Sequence, residues 1–220
     1  MATAPHRWAR FAIALRESTA GQPLCVSLCN TRHWRNSAAP KEVLTTYDEI
    51  VKWAVAKAIY TADEGAALVR EAAAHPHVAN AELRRTVELR EAIAAVLAAH
   101  ARGETPDAAD MAIVDATFRE ALAQLSLDVR EAGLVPSLPP AREGLEVPRW
   151  QAALSALGLL ASPALGRVKQ CADDRGCGWL FVDTTRNGSR QFCFSRECGN
   201  RARQARYRAR HREEQEHPAH

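Results

Sequence analysis

The sequence predicts a mainly α-helical chain that closes with a small C-terminal module of one β-hairpin and one helix. Three observations carry this. Between residues 41 and 165 apolar side chains recur at helical spacing, punctuated by Pro and Gly. Further on, four cysteines fall in two pairs, Cys171-x5-Cys177 and Cys193-x4-Cys198. After Cys198 the chain becomes an Ala/Arg run of good helix propensity, with no proline until Pro218.

In chain order, residues 1 to 20 are mixed and basic at the start (His6, Arg7, Arg10), an expected frayed end. Gly21-Gln22-Pro23 punctuates, and Leu24 to Thr31 is a short apolar element of open type. Its Cys25 and Cys29 sit among Leu24, Val26 and Leu28, which favours core packing over metal binding. Thr46 to Ala58 reads as a helix, with Ile50, Trp53, Ala54 and Ala58 near helical spacing. Thr61-Ala62-Asp63-Glu64 is a capping box opening a helix to about Ala74, broken by His75-Pro76. Asn80 is the expected cap of the next helix, whose stripe of Leu83, Val87, Ile93 and Leu97 runs to His100 before Gly103. Pro106-Asp107 restarts a helix through Met111, Val114, Phe118, Leu122 and Leu125 that fades near Gly133. Pro136, Pro139, Pro140, Gly144 and Pro148 make Leu134 to Pro148 a loop, or at best a pair of short edge strands. Arg149 to Leu165 is a last helix with a thin polar face, expected to lie buried between the two parts of the molecule.

The cysteine pairs point to metal. Fifteen residues separate them, enough for a hairpin with one ligand pair on each side. Trp179-Leu180-Phe181-Val182 reads as a strand and Asn187-Gly188 as a tight turn. Four thiolates make a soft tetrahedral cage with no open position, so Cys171, Cys177, Cys193 and Cys198 predict one structural Zn2+ rather than a catalytic one. Knuckle, hairpin and a ligand at the start of a helix is a treble-clef-like order. Arg186, Arg190 and Arg201 are near enough in sequence to offset the cage's negative charge.

The same stretch, with Cys198-Gly199-Asn200-Arg201 at its heart, resembles the CGNR zinc-finger family of bacterial proteins. Its first cysteine pair is one residue longer than the commoner spacing. Leu28-Cys29-Asn30-Thr31, Leu89-Arg90-Glu91-Ala92 and the helix ahead of Gly166-Arg167-Val168 resemble the ABATE domain, a family described as stress-induced transcription regulators. The resemblance implies an ABATE-like helical domain over 1–166, for ligand sensing or dimerisation. It implies a CGNR-type finger over 167–212, leaving 213–220 as a disordered tail.

Charge agrees with that division. The chain carries +3 overall. Residues 167 to 212 hold twelve Lys/Arg against Asp173, Asp174, Asp183 and Glu197, a net of +8. A concentrated basic patch on a small module is the footprint expected for nucleic acid. At 100° per residue, Arg201, Arg208 and Arg212 form one stripe of the last helix and Arg203, Arg206 and Arg210 another. Gln204, Tyr207 and His211 lie between them, and Ala202, Ala205 and Ala209 form a sector able to lie flat on the body. The expected interface with duplex DNA is therefore Arg186, Arg190, Arg201, Arg203, Gln204, Arg206, Tyr207, Arg208 and Arg210. A possible small-molecule effector would sit in a pocket of Asn30, Arg32, Trp34 and Arg90. No Gly-rich phosphate loop or His-Glu-x-x-His spacing favours an enzyme. No apolar run reaches the roughly 20 residues of a membrane span, and a cytoplasmic regulator is expected, with a homodimer as one arrangement open to it. The alternative is a protein-interaction or ligand-binding protein whose zinc module is purely structural.

Overall fold

The computed structural model describes residues 21–130, 133–139 and 144–216, and the expected frayed end lies outside them. The open element at Leu24 is a helix, α1 (Leu24–Cys29), with Leu24, Cys25, Val26, Leu28 and Cys29 all buried. Burial pushes the Cys25 thiol up to about 11, so it packs as a small neutral group. Its backbone N–H donates to Ser155 Oγ at 3.1 Å. Strands β1 (Arg32–His33) and β2 (Lys41–Glu42) pair antiparallel and lead into α2 (Tyr47–Ala56).

Helix α3 (Ala62–Ala74) opens on the expected capping box. Thr61 Oγ1 accepts from the Glu64 N–H at 3.3 Å, and the Glu64 carboxylate accepts from the Thr61 N–H at 2.9 Å. Helix α4 (Pro76–Ala101) starts at the proline itself, so Asn80 lies inside the helix and caps nothing. Pro fits the first helical turn because its missing N–H would have had no partner there. Asp107 caps α5 (Ala108–Ala123), accepting from the Ala109 N–H at 2.8 Å. That helix stops ten residues short of Gly133. The segment it was expected to cover is a strand, β3 (Ser126–Arg130), paired with β4 (Gly133–Ser137). Apolar Leu127 and Val129 alternate there with polar Ser126, Asp128 and Arg130, the period of a strand.

Helix α6 (Val147–Leu160) is buried on nearly every side, but among α1, α4 and α5 rather than between the helical part and the finger. Its Arg149 is a buried cation held by two carboxylates, Glu82 of α4 at 2.5 Å and Glu120 of α5 at 2.9 Å. The pairs tie three helices together. Removing one partner of such a buried group costs about 3–5 kcal/mol.

A 3-10 turn (Pro163–Arg167) delivers the chain to β5 (Val168–Gln170), which pairs antiparallel with β6 (Leu180–Val182). The predicted hairpin thus forms with a different partner: β6 pairs with the strand before the first cysteines. No ladder crosses the Asn187-Gly188 turn among the described residues, although Gly188 takes the positive φ of +63° expected there. Alternation along β6 divides its side chains between two cores. Leu180 and Val182 join the main helical core, whereas Phe181 packs with the four cysteines. A π-type turn (Ser195–Gly199) leads into α7 (Asn200–Glu216), which continues into residues expected as tail. No helix of the described residues is long and apolar enough to cross a membrane.

Candidate metal centre and basic helix

Strands β5 and β6 place Cys171 just after one strand and Cys177 just before the other. Cys193 and Cys198 arrive from the loop and turn ahead of α7. All four sulfurs are buried and lie within 4.8 Å of one another. Cys177 to Cys193 and Cys193 to Cys198 are both 3.6 Å. A tetrahedral ZnS4 site with Zn–S near 2.3 Å sets neighbouring sulfurs about 3.8 Å apart, so the cage has the right size. Cys171 Sγ accepts from the Cys193 N–H at 3.4 Å, and Cys198 Sγ from the Arg201 guanidinium at 2.8 Å. Such donors hold thiolates in place around an ion. So close together the four thiols are not independent: hydrogen bonds from Cys177 and Cys193 pull Cys171 well below the usual thiol range, whereas burial pushes Cys198 up. A divalent cation removes that conflict by deprotonating all four ligands. The site fits one structural zinc, and its chemistry is that of a clamp with no position for a reacting water.

The knuckle is docked on the helical part. Backbone N–H groups of Arg35 and Asn36 donate to the carbonyls of Cys177 and Gly176, both at 3.1 Å. Gly176 has φ +90°, and a Cβ there would lie 2.6 Å from the Ser37 nitrogen, so only glycine permits this approach. The outer edge of β6 is satisfied by side-chain amides from either end of α1. Asn30 donates to the Leu180 carbonyl at 2.8 Å and accepts from its N–H at 3.0 Å. Gln22 does the same for Val182, at 3.0 and 2.6 Å. Two primary amides thus stand in for a missing strand.

Several residues expected at the DNA surface have internal roles. Arg201 donates to Asp173 at 2.8 Å as well as to Cys198 Sγ, and its guanidinium lies 5.1 Å from the Trp34 ring centroid. Burial alone would raise the Asp173 carboxyl, but hydrogen bonds from Arg201 and the Arg175 N–H hold it below the usual range. Arg190 donates to the carbonyls of Phe192 and Cys193 and stacks 4.7 Å over Phe181. Arg186, by contrast, is exposed on the loop. On α7, Arg203, Gln204, Tyr207, Arg208 and His211 are exposed, and so is Ala205. Of the alanine sector, Ala202 is half-buried and Ala205 does not lie on the body, while the side chain of Ala209 lies outside the described residues. The side chains of Arg206 and Arg210 lie outside the described residues, although both positions are helical. Arg203 turns back to the Asn200 side-chain oxygen.

The four residues expected to make an effector pocket do not converge on one. Arg90 is buried and gives two 2.6 Å bonds to Glu42, with Glu91 and Thr31 completing its shell. Arg32 pairs with Glu91 at 3.1 Å. Trp34 lies against Arg175 and Arg201, and Asn30 is committed to β6. Asn30 does border a cleft of about 550 Å³, which opens on the other side, between α2 and the finger.

Sequence reasoning missed Asp183, fully buried, whose carboxylate accepts from Lys169 Nζ at 2.7 Å and from the Thr185 and Arg190 N–H groups at 2.9 Å. It organises the loop that returns the chain to Cys193. The Asp-x-Thr order was a usable signal, since an Asp that accepts from the N–H two residues on is a turn device.

Residues 22–163 match the family model ABATE, described as "Putative stress-induced transcription regulator". The chain belongs to the ABATE family. Residues 167–211 match the CGNR zinc finger, so the ABATE region is followed by the metal centre described above. No match is found among curated proteins. In this ABATE protein the Leu28-to-Thr31 segment contributes the Asn30 clamp on the finger, and Arg90 contributes a buried ion pair.

Proposed function

We propose that the chain is a transcription regulator whose zinc finger presents α7 to duplex DNA, with the ABATE region over 1–166 as the frame and effector-responsive part. The observation that carries it is the exposure of α7. From Arg203 to His211 every described side chain faces solvent, on a helix of 17 residues that is rich in arginine. At 1.5 Å per residue this helix is about 25 Å long, ample for a major groove about 12 Å wide. Arg186, Arg203, Arg206, Arg208 and Arg210 would contact phosphates, with Gln204 and Tyr207 facing base edges. Arg190 and Arg201 would act from beneath, fixing the loop and the helix start. The reading includes a cytoplasmic protein and a homodimer on a two-fold DNA site.

Selection from a random duplex pool with zinc-loaded protein tests this, run beside the Arg203→Ala/Arg206→Ala/Arg210→Ala variant. A common enriched site, lost in the variant, is the expected outcome. Equal recovery by both proteins, without enrichment, would leave zinc as a staple for a protein-interaction or ligand-binding chain.

A further inference from the structure

Helix α1 packs on β6, and α4 packs on both β5 and β6, but α2 stands away from the finger and leaves the 550 Å³ cleft between them. Its volume is that of a small-molecule site. One wall is a single face of α2 and its C-terminal end, formed by Trp53, Ala56 and Lys57. The facing wall is aromatic and belongs to the finger, formed by Trp179, Phe181 and Phe194. Trp179 and Phe194 meet edge to face at 6.0 Å, yet Phe194 remains half exposed, an unusual state for a large apolar ring at a metal centre.

Two polar groups at these walls lack counterparts. The Trp179 indole N–H is buried with no acceptor among the described residues. Lys57 is a half-buried residue whose ammonium has no carboxylate or carbonyl partner among the described residues. Its neighbour Lys52 is by contrast neutralised by Glu49 at 2.7 Å, and the Arg190 guanidinium is taken up by the Phe192 and Cys193 carbonyls. The cleft therefore offers flat apolar walls and one unpaired cation.

We propose that this cleft binds a small molecule with a planar apolar body and one anionic group, the body between Trp53 and the Trp179/Phe194 pair and the anion on Lys57. The wall touches both halves of the metal centre, because Trp179 is two residues beyond Cys177 and Phe194 follows Cys193. Occupancy would bear on the loop and turn that launch α7. The binding site stands on its own geometry, whereas its use as a regulatory input rests on the DNA-binding reading above.

The test is fluorescence titration of the zinc-loaded full chain with two probes of similar shape, anionic 1-anilinonaphthalene-8-sulfonate and neutral N-phenyl-1-naphthylamine. One saturable site per chain is expected, with the anion bound at least tenfold more tightly than the neutral probe. Lys57→Glu should abolish that preference, and Ala56→Trp, which fills the cleft, should weaken both probes at least tenfold with zinc content unchanged. Equal affinity for the two probes, non-saturating binding, or wild-type behaviour of Lys57→Glu would overturn the proposal, even if Ala56→Trp misfolds. The α7 triple-arginine variant should bind the probes like wild type, so loss of DNA binding and loss of the cleft are told apart.

Discussion

The ABATE region and the finger bury polar groups by different means. In the helical region charge is buried in pairs: Arg149 between Glu82 and Glu120, and Arg90 between Glu42 and Glu91, inside a continuous apolar core. In the finger the apolar cluster is small, with Phe181, Trp179 and Phe192 around the four cysteines, and the cage has to supply what the core cannot. Strand β6 belongs to both, and its outer edge is closed by Gln22 and Asn30 rather than by a third strand. The difference teaches that the finger is not a bead on a string: four cysteines gather it around a metal site, and the helical region holds it in place.

The largest effect should come from the metal. Chelation or Cys193→Ser removes a contribution of about 10–16 kcal/mol to this part of the chain. Hydrogen exchange should then show protection lost from Trp179 to Arg203 while α4 and α6 stay protected. Uniform loss across both regions would break the comparison. Next is the buried cation. Arg149→Met leaves Glu82 buried and unpaired and should cost about 3–5 kcal/mol in denaturant unfolding, with zinc retained. A cost below about 1 kcal/mol would mean that the pair is solvated.

The seam itself should be worth less. Asn30→Ala leaves the Leu180 N–H and carbonyl without their partners, at about 1–3 kcal/mol. It should accelerate exchange at Leu180 while zinc stoichiometry stays at wild type, and unaltered exchange would show that α1 does not hold β6. The smallest effect is acid sensitivity. Burial would raise Glu42 and Glu91, but hydrogen bonds from Arg90 and Arg35 outweigh it and hold both carboxyls low. A depressed carboxylate contributes stability above its unfolded value, near 4.3, and loses it as pH falls further. Stability of the wild type should therefore decline below about pH 4. Arg90→Gln should flatten that part of the pH profile.

How much of this was legible in the sequence depended on range. The cage was legible because ligand type and spacing are themselves the signal, and the Thr61 box because its partners are three residues apart. Strand β4 falls in the stretch allowed as short edge strands, but its partner β3 was not read, since Leu122 and Leu125 extend the helical pattern into a segment whose period is two. Arg201 meets the cage as its position in sequence led one to expect, but its Asp173 and Trp34 partners and the role of Asn30 were out of reach for a different reason. Asn30 meets Leu180 across 150 positions, and Arg201 is withdrawn from solvent by Asp173 and Trp34. Arginine counting offers Arg186, Arg190 and Arg201 to both the cage and DNA, and only folding shows which ones are already engaged.

The central claim is that an exposed basic helix, aimed by a docked finger, reads duplex DNA. Its most direct test is the salt dependence of DNA affinity for wild type and the Arg203→Ala/Arg206→Ala/Arg210→Ala variant. Counterion release gives a log–log slope near −0.9 per phosphate contact, so the account predicts a steep wild-type slope that falls by about three in the variant. Equal slopes in the two proteins would contradict it.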